Sequence, residues 1–242
     1  MENPEKNYKP RIEKITKFWT PDAKLEITYE NKKVTFAYPS FGPDNYLNIR
    51  KQILENNLLI PTAEQTVALL HRAYLSEFKD APEFQNIREI MKKKWLLVFN
   101  RNLWTNKGVY VVQDSEAKIR SEKLKISNLE EELKNSEEIN TVKFSKNGKV
   151  RFAPKNSYML EENRPDSLAE NGFVIANYGK QGAKKLAEIS TQHLSKPYIY
   201  GLNIQEGNAP ERVSALDGFE GELHLFGDFY EEWDGYAFGV FK

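Results

Sequence analysis

The sequence predicts an α+β fold made of two related halves, each holding a β-hairpin, two or three helices and two further strands. Three observations predict it. Segments that alternate apolar and polar residues flank turn-forming residues, as in "KLEITYENKKVTFAY" and "TVKFSKNGKVRFAP", which is the pattern of half-buried paired strands. Segments with helical periodicity and capping residues lie between them. The whole succession then occurs twice, with a period of about 115 residues: Asn31 to Asn147 is 116, Glu55 to Glu170 is 115, Leu70 to Leu186 is 116 and Asp114 to Asp228 is 114. The Asn100 to Asn203 pair departs at 103, where the first half carries an extra helix around Ile87–Met91. A period this long describes a doubled domain and not a solenoid.

Taken in order, residues 1–15 read as a flexible N-terminal arm, 16–114 as the first half, 115–140 as a charged helical connector and 141–242 as the second half. "GPDNYLNIRKQILEN" reads as a helix with Pro43 in its first turn and an apolar face of Leu47, Ile49, Ile53 and Leu54. "TAEQTVALLHRAYLSEF" is a stronger helix, because Thr62 and Gln65 have capping-box spacing. "EFQNIREIMKKK" is a third, with lysines at the end where they complement the dipole. "KWLLVFN" and "GVYVVQD" read as strands. The aromatic-free stretch 115–140 has too few large apolar residues for a coiled coil. In the second half, Asn147-Gly148 is a strong hairpin turn, "FVIA" reads as a strand running into a helix, and Asp234-Gly235 reads as the turn of a closing hairpin. The missing helix in that half suggests two lobes packed together, with a cleft between them.

The composition narrows function mainly by exclusion. Lys plus Arg and Asp plus Glu are 35 each, and a protein built to neutralise phosphate backbone ordinarily carries a basic excess, so nucleic acid is disfavoured. With no cysteine, disulfides, thiolate nucleophiles and cysteine-ligated metals are out. The polar N-terminus lacks a signal-peptide core, and the longest apolar runs are too short for a membrane span. A soluble, cytoplasmic protein without membrane contact is the expectation.

Two stretches carry functional expectations. In "ANYGKQGAKKLAE", Gly179, Lys180, Gly182 and Lys184 would form a glycine-bearing strand–helix turn where backbone N–H groups and lysines could hold a small phosphorylated ligand. The spacing is not that of a P-loop, and the same residues read more readily as an ordinary turn with solvated lysines. In "FGDFYEEWDGYAFGVFK", alternation leaves one or two aromatics outward, and Tyr230 and Trp233 are candidate partner anchors. Asp228, Glu231, Glu232 and Asp234 match no calcium-loop spacing. His71, His193 and His224 do not cluster in the sequence, and no metal site, catalytic residue or cofactor is expected. The reading favoured is a non-catalytic binding or interaction protein with a protein or small-molecule partner. An enzyme or sensor for a phosphorylated ligand at residues 176–188 is the alternative.

Overall fold

A computed structural model describes residues 21–115, 123–206 and 210–242. The expected arm, residues 1–15, lies outside them, as does part of the connector. The architecture is α+β. Strands β1 (Ala23–Tyr29) and β2 (Lys32–Tyr38) form an antiparallel hairpin around Glu30 and Asn31, both with positive φ. After the short strand β3 (Phe41–Asp44) come helices α1 (Tyr46–Glu55), α2 (Ala63–Leu75) and α3 (Pro82–Lys93). Strands β4 (Leu96–Thr105) and β5 (Gly108–Gln113) follow, then the short helix α4 (Ile126–Glu132). Strands β6 (Glu137–Ile139), β7 (Val142–Phe144) and β8 (Val150–Pro154) lead to β9 (Glu161–Glu162) and the long helix α5 (Gly172–Gln192). The chain closes with β10 (Ser195–Tyr200), β11 (Glu211–Asp217), β12 (Glu222–Phe229) and β13 (Gly235–Ala237).

Local chemistry accounts for most of these boundaries. The capping box at α2 forms as expected: the Thr62 hydroxyl accepts from the Gln65 backbone N–H at 3.2 Å, and the Gln65 side chain accepts from the Thr62 N–H at 2.9 Å. Pro43 does not open α1. It lies within β3, and Asn45 caps the helix by accepting from the Asn48 N–H at 3.0 Å. The apolar face of α1 consequently uses Tyr46 with Ile49 and Ile53, and Leu47 faces solvent at 43% exposure.

The principal sheet runs β6-β7-β8-β5-β4-β11-β12-β10-β9, with β13 beside β3 and β4. Strands from both halves interleave in it: β4 pairs with β11, and β5 pairs with β8. The expected pair of lobes is thus replaced by one sheet. Pairing also differs between the halves, since β4 and β5 are antiparallel neighbours whereas β10 and β12 are parallel ones.

Two-residue periodicity along β4 sorts the core onto the sheet's two faces. Leu96, Val98 and Trp104 pack on one side with α2, α3 and α5, beyond which the β1–β2 hairpin lies on α2. Leu97 and Phe99 pack on the other side with α1 and Phe229, and Leu103 packs there with Leu129 of α4.

Two further expectations are corrected. "FVIA" is no strand: Phe173, Val174, Ile175 and Ala176 are the buried first turn of α5, capped by Asn171, whose side chain accepts from the Phe173 and Val174 N–H groups. A continuous apolar run of four fits a buried helix turn as well as a strand. The closing hairpin is absent as well, because β13 leaves β12 and pairs with β3 and β4 instead. Among the described residues, no helix is long and apolar enough to cross a membrane.

Candidate functional site

Gly179 lies inside α5, where φ of 66° and ψ of 166° break the helix. A break frees carbonyls that would otherwise accept from the next turn, and this one exposes them to the sheet. The Ala176 carbonyl accepts from Arg151 Nη1 at 3.1 Å, and the Asn177 carbonyl accepts from Asn100 Nδ2 at 2.8 Å. The Asn177 side chain accepts from Ser214 Oγ at 2.7 Å, Ser214 Oγ accepts from Asn102 Nδ2 at 2.8 Å, and Asn102 and Trp104 both donate to the Gly227 carbonyl. Arg151 also pairs with Glu64, which accepts from Gln113. Nearly all of this network is buried.

The strand–helix turn expected at Gly179, Lys180, Gly182 and Lys184 is therefore a kink within a packed helix. The Glu64 carboxylate oxygen lies 3.0 Å from where a Gly179 Cβ would be, which disfavours an anion at that point. Gly182 packs against Tyr178, Lys180 donates to the Asn140 side chain at 3.3 Å, and Lys184 is exposed. None of these four residues lines the groove or the pocket described below.

Tyr230 and Trp233, by contrast, stand together at 44% and 46% exposure, with ring centroids 5.0 Å apart. Trp233 stacks on Trp95 at 5.9 Å and meets the edge of Phe229 at 5.2 Å, so its position is fixed by packing. The Arg212 guanidinium lies 4.2 Å from the Tyr230 ring centroid, a cation–π contact.

Tyr230 borders a groove of about 680 Å³ on the α1 side of the sheet, and Trp233 stands beside Tyr230, outside the lining. Its floor is Arg101, Leu103 and Val213 of β4 and β11; one wall is Tyr46 and Leu47 of α1, and the other is Lys123 and Leu124 before α4. Two ion pairs are set into it. Arg101 pairs with Glu211, whose second oxygen accepts from the Leu124 N–H at 3.0 Å. Arg50 pairs with Asp114 at 3.3 Å, and the Tyr46 hydroxyl donates to Asp114 at 3.1 Å. Burial, reinforced by the Asp114 charge, holds the Tyr46 phenol far above its ordinary pKa, so it remains a donor.

Of this lining, sequence reasoning singled out Tyr230 and not Arg101, Asp114 or Glu211. One signal was available: Arg101 interrupts "LLVFNRNLW", an otherwise apolar and amide strand. Its partner lies about a hundred residues away, and no local pattern connects them.

The histidines are dispersed. His71 meets Glu188 at 2.6 Å between α2 and α5, His193 packs on Tyr74, and His224 meets Asp217 at 2.7 Å with Glu222 at 3.9 Å. The hydrogen bond to Asp217 raises the His224 pKa despite partial burial, whereas burial lowers that of His193. Among the described residues, no group of three His, Asp or Glu side chains is arranged to hold a metal.

No protein-family model and no curated protein matches the chain. Among solved structures, a chain described as "Accommodation of massive sequence variation in Nanoarchaeota by the C-type lectin fold" aligns at 12% identity with a TM-score of 0.47, over 84% of this chain and 97% of that one. So loose a likeness transfers neither fold nor function.

Proposed function

We propose that this is a non-catalytic binding protein whose groove between α1 and β11 receives a polypeptide partner, with Tyr230, Trp233 and Leu47 as the apolar anchors. The observation that carries the reading is Tyr230, half-exposed on the groove's lining, with the half-exposed Trp233 packed on Trp95 and Phe229 directly beside it. Large aromatics fixed by their neighbours offer contact area at little entropic cost, and binding hot spots are enriched in Tyr and Trp. The charges facing the groove, Arg101, Lys123 and Arg212 against Asp114, Glu211, Glu231 and Glu232, nearly balance. Arg101 and Glu211 pair with each other. Such a lining suits a partner of low net charge that contributes apolar side chains and backbone hydrogen bonds.

Selection of a random peptide library on the immobilised protein tests this. Enriched peptides are expected to lose binding by about thirtyfold on Trp233→Ala, the scale of a hot-spot truncation, and to be lost on Leu47→Glu. Failure to enrich any peptide, or peptides indifferent to both substitutions, would overturn the reading.

A further inference from the structure

We propose that a second pocket, separated from the groove by α4, binds a planar anion of nucleotide size, stacking its ring on Phe152, which the buried Tyr110 backs, and holding its phosphate with Lys107 and Lys143. The pocket has a volume of about 400 Å³. The sheet builds it in one row: Tyr110 of β5 lies opposite Phe152 of β8, and Phe152 lies opposite Lys143 of β7. Residues directly opposite across strands project from the same face, so two rings and an ammonium stand side by side, the ring centroids 4.6 Å apart. Lys107 comes from the β4–β5 turn, where Gly108 has φ of 148° and its missing Cβ would fall 2.1 Å from the Ala153 carbonyl. That close approach pins the turn against β8 and fixes the site from which Lys107 reaches.

The charge is asymmetric. Lys107, Lys134 and Lys143 line the pocket against Glu130 alone. Glu130 accepts from the Tyr110 hydroxyl at 3.4 Å, Lys134 pairs with Glu131, and Glu138 stands opposite Lys143 in β6. Lys107 and Lys143 make no ion pair among the described residues. Burial and Glu130 push the Tyr110 pKa up to about 12, so the phenol adds no negative charge at neutral pH. A partly exposed ring, held by a buried one, beside two ammonium groups matches a ligand that is flat at one end and anionic at the other. Stacking on aromatic side chains is tolerant of ring identity, and ammonium–phosphate contacts are charge-assisted.

Calorimetric titration with adenosine monophosphate, adenosine and inorganic phosphate tests the proposal. The monophosphate is expected to bind at least about tenfold more tightly than either part alone, because both subsites must be filled. Lys143→Glu, at an exposed position, should weaken it by at least about tenfold, and Phe152→Ala should weaken it further. Lys180→Ala combined with Lys184→Ala should leave it unchanged. The proposal is overturned if the monophosphate does not bind at about 10 mM, if phosphate alone binds as well, or if binding survives Lys143→Glu. That substitution decides the matter even if Phe152→Ala fails to fold.

Discussion

Gly179→Ala tests whether the kink in α5 is imposed by glycine. At φ of 66° and ψ of 166° the residue occupies a region that is essentially glycine's alone, and forcing another residue there costs about 1–3 kcal/mol. The new Cβ would also stand 3.0 Å from Glu64 Oε1 and 3.1 Å from Glu64 Cγ. Glu64 cannot simply swing away, because it is bonded to Arg151 and Gln113 and is only 9% exposed. Complete rupture of a buried ion pair costs about 3–5 kcal/mol, so partial displacement together with the backbone strain should total about 2–4 kcal/mol. Urea denaturation measures this as a fall in midpoint at constant slope, and Tm should drop by about 2–4 °C per kcal/mol at this chain length. Gly148→Ala is the control. Its φ is also positive, at 70°, but a Cβ there meets nothing within 4 Å, so its cost should stay near 1–2 kcal/mol. If Gly179→Ala costs no more than Gly148→Ala, Glu64 does not hold the kink and the account of α5 is wrong.

Other expectations follow from the same contacts. Asn177→Ala deprives Ser214 Oγ of its acceptor and should cost about 1–3 kcal/mol, the penalty for an unsatisfied buried group; a neutral result would mean water replaces the amide. Thr62→Ala removes the capping box and should cost about 1 kcal/mol, read from the same denaturation curves. His224 should titrate above its ordinary 6.5 in an NMR pH series. With the folded pKa raised, its stabilising contribution is complete below the unfolded pKa and fades as pH rises through the folded one. Asp217→Asn should lower that pKa, and an unshifted titration would remove the hydrogen bond from the explanation.

How much the sequence disclosed depended on the range of the forces involved. The β1–β2 hairpin, the α2 cap and the β4 and β5 strands are set by neighbours in the chain, and alternation or cap spacing reveals them. The first turn of α5 was unreadable because "FVIA" is buried on all sides, which erases the amphipathic signature separating helix from strand. The course of β13 was equally hidden: an Asp-Gly pair favours a hairpin locally, but Gly235 is pressed onto Leu97, from which its Cβ would lie 2.7 Å away, and tertiary packing decides the outcome. At the groove, Tyr230 stands out as an aromatic among acidic residues, as does Trp233 beside it. The pairs Arg101–Glu211 and Arg50–Asp114 could not, since each joins residues far apart in sequence.

The interleaving of strands also sets a timetable for synthesis. Strand β4 emerges from the ribosome with "LLVF" and both hydrogen-bonding edges available, yet its neighbour β11 begins about a hundred residues later. At about 5–20 residues per second, that edge waits some 5–20 s for its mate. An apolar edge left open so long is a template for the wrong partner. A chain ended at residue 114 would hold β4 and β5 without β11 or β8, and it should aggregate where the full chain folds. The middle of this protein is completed last.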